Sequence, residues 1–272
     1  VHLDIRHLGE KKIDKKIPFV RELSKNYAGI DPVYEPIPVR PVVHYMMGGI
    51  DTDITGATAI PGLYAAGECA CVSINGANRL GSNSLTELLV FGNRAGKAAA
   101  QFALESPRVN TASLELQADE EQERISRNFF RKEGGSERIF TLRQEMNETM
   151  ETSAGIYRSE KSLKETCNKI KELKDRFSNI IIEDRSFNFN TELTSALELE
   201  FMLDVAEAIS YSALERTESR GSHQRTDFPG RDDENFLKHS LAYQNDIDPR
   251  IDYKDVVITK WPPGERVYGK EA

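Results

Sequence analysis

The feature that most limits how this chain can fold is a change of hydrophobic period near Ser84. Before it, residues 42–70 consist of short apolar runs separated by Gly, Asp and Thr, a pattern typical of strands and turns. After it, Leu85, Leu88 and Leu89 begin a stripe with spacings of three and four residues, which predicts a helix. The stripe continues in glycine and alanine, so the helix can lie very close to a neighbour. The sequence leaves open whether that neighbour is a sheet or a cofactor.

Later segments carry the same helical period and predict a bundle. These segments cover residues 113–135, 136–155, 159–179 and 191–219. On the third segment, Cys167 shares one face with Leu163, Ile170, Leu173 and Phe177. This placement favours a small core residue over a reactive thiol.

Both ends of the chain give weaker signals. Residues 1–5 alternate apolar and polar side chains, as a strand would. Residues 18–29 predict a short amphipathic helix with a proline in its first turn and a terminal glycine. Four prolines between residues 32 and 41 then predict an extended connector. After Gly221 the chain turns irregular and polar, and residues 250–263 predict a closing strand.

Composition excludes several classes of function. The 36 basic and 44 acidic residues are interspersed, so no basic stripe indicates a nucleic-acid partner. No stretch reaches the roughly 20 apolar residues that a membrane-spanning helix needs. The three cysteines fit neither a disulfide framework nor a four-ligand zinc site, so no metal site is predicted and a reducing compartment is expected.

The stretch "NGANRLGSNSLTE", residues 75–87, has the composition of an anion-binding helix entrance. Ser84 and Glu87 match a capping box, which predicts a helix N-terminus there. Such an N-terminus attracts negative charge, and the Arg79 guanidinium can grip a carboxylate or a phosphate. Gly76 and Gly81 have the spacing of a Walker A loop, but the lysine that should follow is missing. A nucleoside triphosphatase is therefore not predicted.

Two residues upstream add to this interpretation. "GLYAAGECA" predicts an apolar strand that ends in Gly67 and Glu68, where a carboxylate can accept hydrogen bonds from ribose hydroxyls. His44 is predicted at another strand end beside two glycines, either as a structural hydrogen-bonding residue or as part of a site.

Several long motifs, in order, then carry a resemblance to a known family. They are "HYMMGGIDTD", "GLYAAGECACVSINGANRLGSNSLTELLVFG", "SRGSHQRTDFPGRDDENFLKH" and "ITKWPPGERVYG". Together they resemble the C-terminal part of the flavoprotein subunit of the succinate dehydrogenase and fumarate reductase family, and are most similar to its quinol:fumarate reductase branch.

The resemblance implies an α/β plus all-α fold. It comprises the remainder of a capping domain (1–40), the C-terminal part of an FAD-binding, Rossmann-like domain (41–106), a helical bundle (107–222) and a C-terminal segment with a strand (223–272). It also implies that His44 and Arg79 bind the substrate dicarboxylate, fumarate or succinate. The residues it implies for FAD binding are His44, Tyr45, Glu68, Arg79, Leu80, Gly81, Ser82, Asn83, Ser84 and Leu85.

Other parts of the family's machinery have no counterpart in this sequence. They are the G-x-G-x-x-G motif, the histidine that attaches FAD covalently and the arginine that delivers the proton. No catalytic residue is therefore expected within these 272 residues. The resemblance further implies an iron–sulfur subunit, indirect contact with membrane-anchor subunits, and a peripheral location on the cytoplasmic side of the inner membrane.

Two alternatives remain open at the level of sequence. One is an L-aspartate oxidase-like flavoenzyme, which has similar His and Arg motifs. The other is a non-catalytic remnant whose helical bundle serves only as an interaction surface. The roles of Arg220, His223 and Arg225 are also open, and interdomain salt bridges or contact with the iron–sulfur partner are the expectation for them.

Overall fold

The computed structural model describes residues 1–107 and 111–264, which form two compact units, Val1–Met46 and Met47–Ala272. The motif "ITKWPPGERVYG" extends past Gly264, so its last residues lie outside the described part. Within the described ranges, no helix is both long enough and apolar enough to cross a bilayer. The model mixes helices with short two-stranded sheets.

The first unit is built around two short helices, α1 (Glu10–Lys16) and α2 (Pro18–Leu23). The predicted helix is confirmed: Pro18 occupies its first turn, and Gly29 ends the following π-helical turn with a left-handed φ of 68°. Strands β1 (His2–Leu3) and β2 (Ile37–Pro38) pair antiparallel. The buried core of this unit is formed by Ile5, Ile13 and Ile37.

The second unit begins with the parallel pair β3 (Ile50–Asp51) and β4 (Ala70–Cys71), which is followed by the long helix α3 (Asn83–Glu105). The predicted strand over "GLYAAGECA" is wrong: residues 60–66 make one isolated antiparallel bridge, between Ala57 and Tyr64. Because a strand needs a hydrogen-bonded neighbour along its length, apolar residues without one remain irregular.

Helix α3 confirms the predicted change of period, but its buried face is not the predicted leucine stripe. Glu87, Phe91 and Ala95 are buried, at spacings of four residues. Leu85 and Leu89 are exposed to 66% and 76%. Ala95 of the predicted stripe therefore lies on the buried face, whereas Leu85 and Leu89 lie outside it.

The predicted bundle is confirmed. The predicted helical segments form α4 (Ala112–Ile125), α5 (Ile139–Ser153), α6 (Glu160–Phe177) and α7 (Thr191–Glu215). Helices α5, α6 and α7 share one buried core, whereas α4 has no buried residue. Leu163, Cys167, Ile170 and Leu173 are buried on α6 as expected. Burial raises the pKa of the Cys167 thiol to about 11, so the cysteine is a core residue and not a reactive thiol.

Short strands also lie between α5 and α6 and after α7. β5 (Tyr157–Arg158) pairs parallel with β6 (Gln224–Arg225), and the single turn α8 (Asp233–Phe236) follows. The predicted closing strand is confirmed as β8 (Arg250–Asp255). It forms an antiparallel hairpin with β7 (Lys238–Tyr243), a strand that the sequence did not predict.

Candidate functional site

The loop that carries Arg79 spans residues 72–82, between β4 and α3. Ser73 and Ser82 both have positive φ, 67° and 66°, which is uncommon for a residue with a side chain. Each lies close to the point where the loop meets a regular element. The surrounding structure therefore has to hold the loop in a specific conformation.

Two hydrogen bonds between side chains hold the first half of this loop. Asn75 Nδ2 donates to Glu87 Oε2 on α3 at 2.8 Å. Ser73 Oγ lies 2.8 Å from His239 Nε2 on β7. The loop is thus attached both to the helix that follows it and to the C-terminal hairpin.

The first of these bonds shows that the predicted capping box is wrong. Helix α3 begins at Asn83, its N-cap is Ser82, and no side chain of the N-cap residue accepts an N–H of the first turn. Glu87 is buried, and its Oε2 accepts from the side-chain amide of Asn75. The start of α3 therefore presents the positive end of the helix dipole.

Arg79 is half-buried, and its Nη1 donates to the Leu80 carbonyl at 2.9 Å. Leu80, Gly81 and Ser82 follow as exposed residues that lead directly into Asn83 at the start of α3. A guanidinium is thereby placed a few residues from a helix N-terminus that no side chain caps. Such an arrangement suits a carboxylate or another anion.

The exposed residues of this stretch also leave its backbone accessible. Ser84 is half-buried in the first turn of α3, and Leu85 is exposed beside it. A Cβ on Gly81 would meet no other atom within 4 Å. A flat ring system could therefore approach the loop and the first helical turn closely.

Glu68 lies in a tight turn just before β4, not at the end of a strand as predicted, and its side chain is exposed. Gly67 beside it has a φ of 85°, and a Cβ there would lie 2.5 Å from Cδ2 of Leu88 on α3. The positive φ favours glycine at this position, and the Leu88 side chain would have to move to make room for a larger residue. The turn therefore places Glu68 beside the helix whose N-terminus follows Arg79.

His44 and Tyr45 belong to the first unit and lie near its end, in irregular backbone rather than at a strand end as predicted. His44 is exposed and Tyr45 is half-buried. The positive φ values of Gly48 and Gly49, 110° and 126°, show why the chain makes a turn after "HYMM". A Cβ on Gly49 would lie 2.4 Å from the Cys69 carbonyl oxygen, so glycine is required at this position.

Comparison with known proteins identifies the group to which these features belong. Residues 143–268 match the family model for the fumarate reductase flavoprotein C-terminus, and residues 1–85 match an FAD binding domain model. The chain is 58% identical over 274 residues to the fumarate reductase flavoprotein subunit of Mycobacterium tuberculosis, covering 99% of this chain and 47% of that protein. It is 50% identical over 275 residues to the Escherichia coli subunit, covering 100% of this chain and 45% of that protein.

Solved structures give the same result. A variant of E. coli quinol fumarate reductase matches with a TM-score of 0.94 at 48% identity, over 100% of this chain and 46% of the other. The chain belongs to the succinate dehydrogenase and fumarate reductase flavoprotein family. Apo Mycobacterium smegmatis Sdh1 matches at a TM-score of 0.80 and 33% identity, over 95% of this chain and 44% of the other.

Membership of this flavoprotein family supports FAD as the cofactor, in agreement with the sequence-based expectation. The chain spans about half the length of the curated relatives it matches, 47% and 45% in the two comparisons above. The mixed helix and sheet fold is that of the matching part of the flavoprotein.

Sequence reasoning missed the residues that support the Arg79 loop from the C-terminal region. His239 and Ser222 make these contacts, with Ser73 and Ala77 of the loop, and neither carries a local signal because the partners are far apart in the chain. The only available signal was the density of charged and small residues in "SRGSHQRTDFPGRDD", to which no role could be assigned.

Proposed function

We propose that this chain is the C-terminal portion of the FAD-containing catalytic subunit of a fumarate reductase, which reduces fumarate to succinate during anaerobic respiration. The observation that carries the proposal is the position of Arg79 a few residues before the start of α3, where the N-cap side chain forms no capping hydrogen bond. Hydrogen bonds to α3 and β7 hold the loop that carries Arg79. The family match supplies the reaction class.

The residues present fit a flavin. The exposed Gly81 leaves room for a planar ring, and the first turn of α3 directs backbone amides and a positive dipole toward it. Leu80, Gly81, Ser82, Asn83, Ser84 and Leu85 would hold the ring, and Glu68 would accept hydrogen bonds from ribose. His44 and Tyr45 would also bind FAD. Bound FAD would supply the hydride, from its N5 atom, that reduces the alkene.

The residues of this chain then bind and orient the substrate. Arg79 would hold one carboxylate of fumarate through two parallel hydrogen bonds, and His44 would donate to the dicarboxylate. Both residues would polarise the substrate as negative charge develops beside the alkene carbon that receives the hydride. The proton for the other carbon would come from an arginine upstream of this chain, which leaves no proton donor among its own residues.

The finer architecture and the assembly are part of the same proposal. Residues 1–40 would be the remainder of a capping domain, 41–106 the C-terminal part of an FAD-binding Rossmann-like domain, 107–222 a helical bundle domain and 223–272 a C-terminal segment. Electrons would arrive from quinol through an iron–sulfur subunit. Membrane-anchor subunits would hold the enzyme indirectly at the cytoplasmic side of the inner membrane.

Substitution of Arg79 tests the proposal in the full-length enzyme. We expect Arg79→Gln to lower kcat/KM for fumarate by about 10²- to 10³-fold, because the substrate carboxylate loses a charge-assisted pair of hydrogen bonds. Activity is expressed per bound FAD, because Arg79 is also among the residues that the family resemblance implies for FAD binding. Arg94→Gln, on the exposed surface of α3, the helix that follows the Arg79 loop, is the matched control and should retain full activity. Unimpaired fumarate reduction by Arg79→Gln would refute the assignment.

A further inference from the structure

The turn at Gly221 and Ser222 contacts the Arg79 loop directly. The Ser222 amide donates to the Ala77 carbonyl at 2.9 Å, and Ser222 Oγ donates to the same oxygen at 2.8 Å. Ala77 lies two residues before Arg79 and is separated from Ser222 by 145 positions in the chain. Both donors of one serine therefore converge on the loop beside Arg79.

The close packing at this contact requires a glycine. Gly221 has a φ of 58°, and a Cβ there would lie 2.5 Å from both the carbonyl carbon and the oxygen of Ala77. Atoms cannot approach that closely without displacement of the backbone. The backbone at Gly221 therefore packs against Ala77 at a distance that only a residue without a side chain permits.

The turn itself is firmly held. Arg220 and His223 exchange two backbone hydrogen bonds, of 2.8 and 3.0 Å, so Gly221 and Ser222 form its two-residue tip. The Arg220 guanidinium binds both carboxylate oxygens of the buried Glu218, at 2.7 and 2.9 Å. Because the tip is held in this way, it restrains the position of the loop that it contacts.

The His223 ring anchors the other side of the turn. Its Nδ1 accepts from Arg158 Nη1 at 2.9 Å, and its Nε2 donates to the Arg216 carbonyl at 3.0 Å. Arg158 lies on β5 and Arg216 follows α7. The turn is thus connected to strand β5 and to the end of α7.

We propose that Ser222 is a positioning residue for Arg79: the turn of residues 220–223 fixes the Arg79 loop through the Ala77 carbonyl. The inference rests on the proposed function, because it takes Arg79 as the residue that binds a substrate carboxylate. Ser222 itself acts only through the loop. Loss of its hydroxyl leaves one of two hydrogen bonds on Ala77, so the guanidinium samples more orientations and binds the carboxylate less well.

The chain offers a close control in Thr226. Its amide and its Oγ1 both donate to one carbonyl oxygen, that of Arg158, at 2.8 and 3.1 Å. This pair reproduces the contact of Ser222 with Ala77, but it does not involve the Arg79 loop. A general effect of losing such a hydroxyl would therefore appear equally in Ser222→Ala and Thr226→Val.

The test uses the full-length flavoprotein assembled in its complex, with Ser222→Ala, Ser222→Thr and Thr226→Val. We expect Ser222→Ala to raise KM for fumarate about fivefold, with kcat per bound flavin within about twofold of wild type, because uniform substrate binding is weakened by about one hydrogen bond. Ser222→Thr should restore KM, and Thr226→Val should leave it unchanged. An unchanged KM in Ser222→Ala, or an equal rise in Thr226→Val, would overturn the proposal.

A second measurement separates this proposal from the proposed function. Hydrogen exchange of peptides covering residues 75–82 should be faster in Ser222→Ala than in wild type or Thr226→Val. If wild-type enzyme binds flavin but does not reduce fumarate, the proposed function fails, and the exchange result alone decides the positioning role. Equal exchange in the two single variants would then refute it.

Discussion

Arg225 is the residue that best shows what "SRGSHQRTDFPGRDD" does in this fold. It is 1% exposed, and its Nη1 donates to the carbonyls of Ala213, Leu214 and Arg216 at the end of α7. Asp227 pairs with it through two bonds of 2.8 and 2.9 Å. The last carbonyls of a helix have no partner within the helix, so a buried guanidinium supplies one.

Substitution of Arg225 by methionine should therefore be strongly destabilising. It would remove the guanidinium donor from the Ala213 and Leu214 carbonyls and leave Asp227 without its cation, at a cost of about 3–5 kcal/mol in the free energy of unfolding. Urea unfolding followed by circular dichroism measures this cost. Arg231→Met, in the same motif but on a partly exposed side chain, is the control and should cost less than about 1 kcal/mol. Equal costs for the two variants would show that Arg225 does not cap α7.

His223 gives the fold a dependence on pH. Burial, with the nearby Arg158 and Arg216 charges, lowers the pKa of His223 to about 4. The unfolded state, with a pKa near 6.5, therefore binds more protons than the folded state between about pH 4 and 6.5. Stability should fall as the pH decreases through this window, and be fully retained above it.

Thermal unfolding at a series of pH values tests this prediction. Gln at position 223 can accept from Arg158 and donate to the Arg216 carbonyl, but it does not titrate. We expect the wild-type midpoint to decrease between pH 7 and 5 more steeply than that of His223→Gln. Parallel curves for the two proteins would contradict the assignment of the pH dependence to His223.

At the scale of elements, helix α7 depends on the residue that begins it. Asn190 Oδ1 accepts from the Leu193 amide at 2.8 Å, while its Nδ2 donates to the carbonyls of Asp184 and Ser186. Asn190→Ala should therefore cost about 1–2 kcal/mol of stability, measured by urea unfolding, because the cap and two loop contacts are lost together. Asn188→Ala, exposed in the same loop, should change stability by less than about 0.5 kcal/mol. A cost for Asn188→Ala equal to that for Asn190→Ala would show that capping is not the cause.

The sequence predicted elements well where one face of a helix is buried by its own neighbours. The α6 face of Leu163, Ile170 and Leu173 is an example, since its period is visible without knowledge of any partner. Strands over residues 42–70 could not be predicted in the same way, because strand pairing depends on residues distant in sequence. β3 and β4 pair through only two residues each, although the flanking runs are equally apolar.

The candidate site also combines features that the local sequence predicts with features that depend on residues distant in the chain. Arg79 and the start of α3 could be located from local composition together with the family resemblance. The capping box failed because Glu87 is used by Asn75, a tertiary contact that competes with the local one. The contact of Ser222 with Ala77 has no local signature at all, and only the folded chain shows it.

For the whole molecule, the central prediction concerns the completeness of the flavin site. The chain covers 47% of its M. tuberculosis relative. The FAD binding domain model matches residues 1–85 of this chain. The start of α3 and the Arg79 loop offer one exposed surface to a ring. A cofactor held against a single exposed surface keeps most of its area in water, so its affinity is low.

We therefore expect the 272-residue chain, expressed and purified alone, to retain far less than one FAD per protein, whereas the full-length protein purified in parallel retains about one. The measurement is the flavin absorbance of each preparation per mole of protein. Far-ultraviolet circular dichroism should confirm that the short chain keeps its helices, because the buried bundle of α5, α6 and α7 is formed by its own residues. A stoichiometric flavin spectrum from the folded short chain would show that these 272 residues already contain a complete binding site.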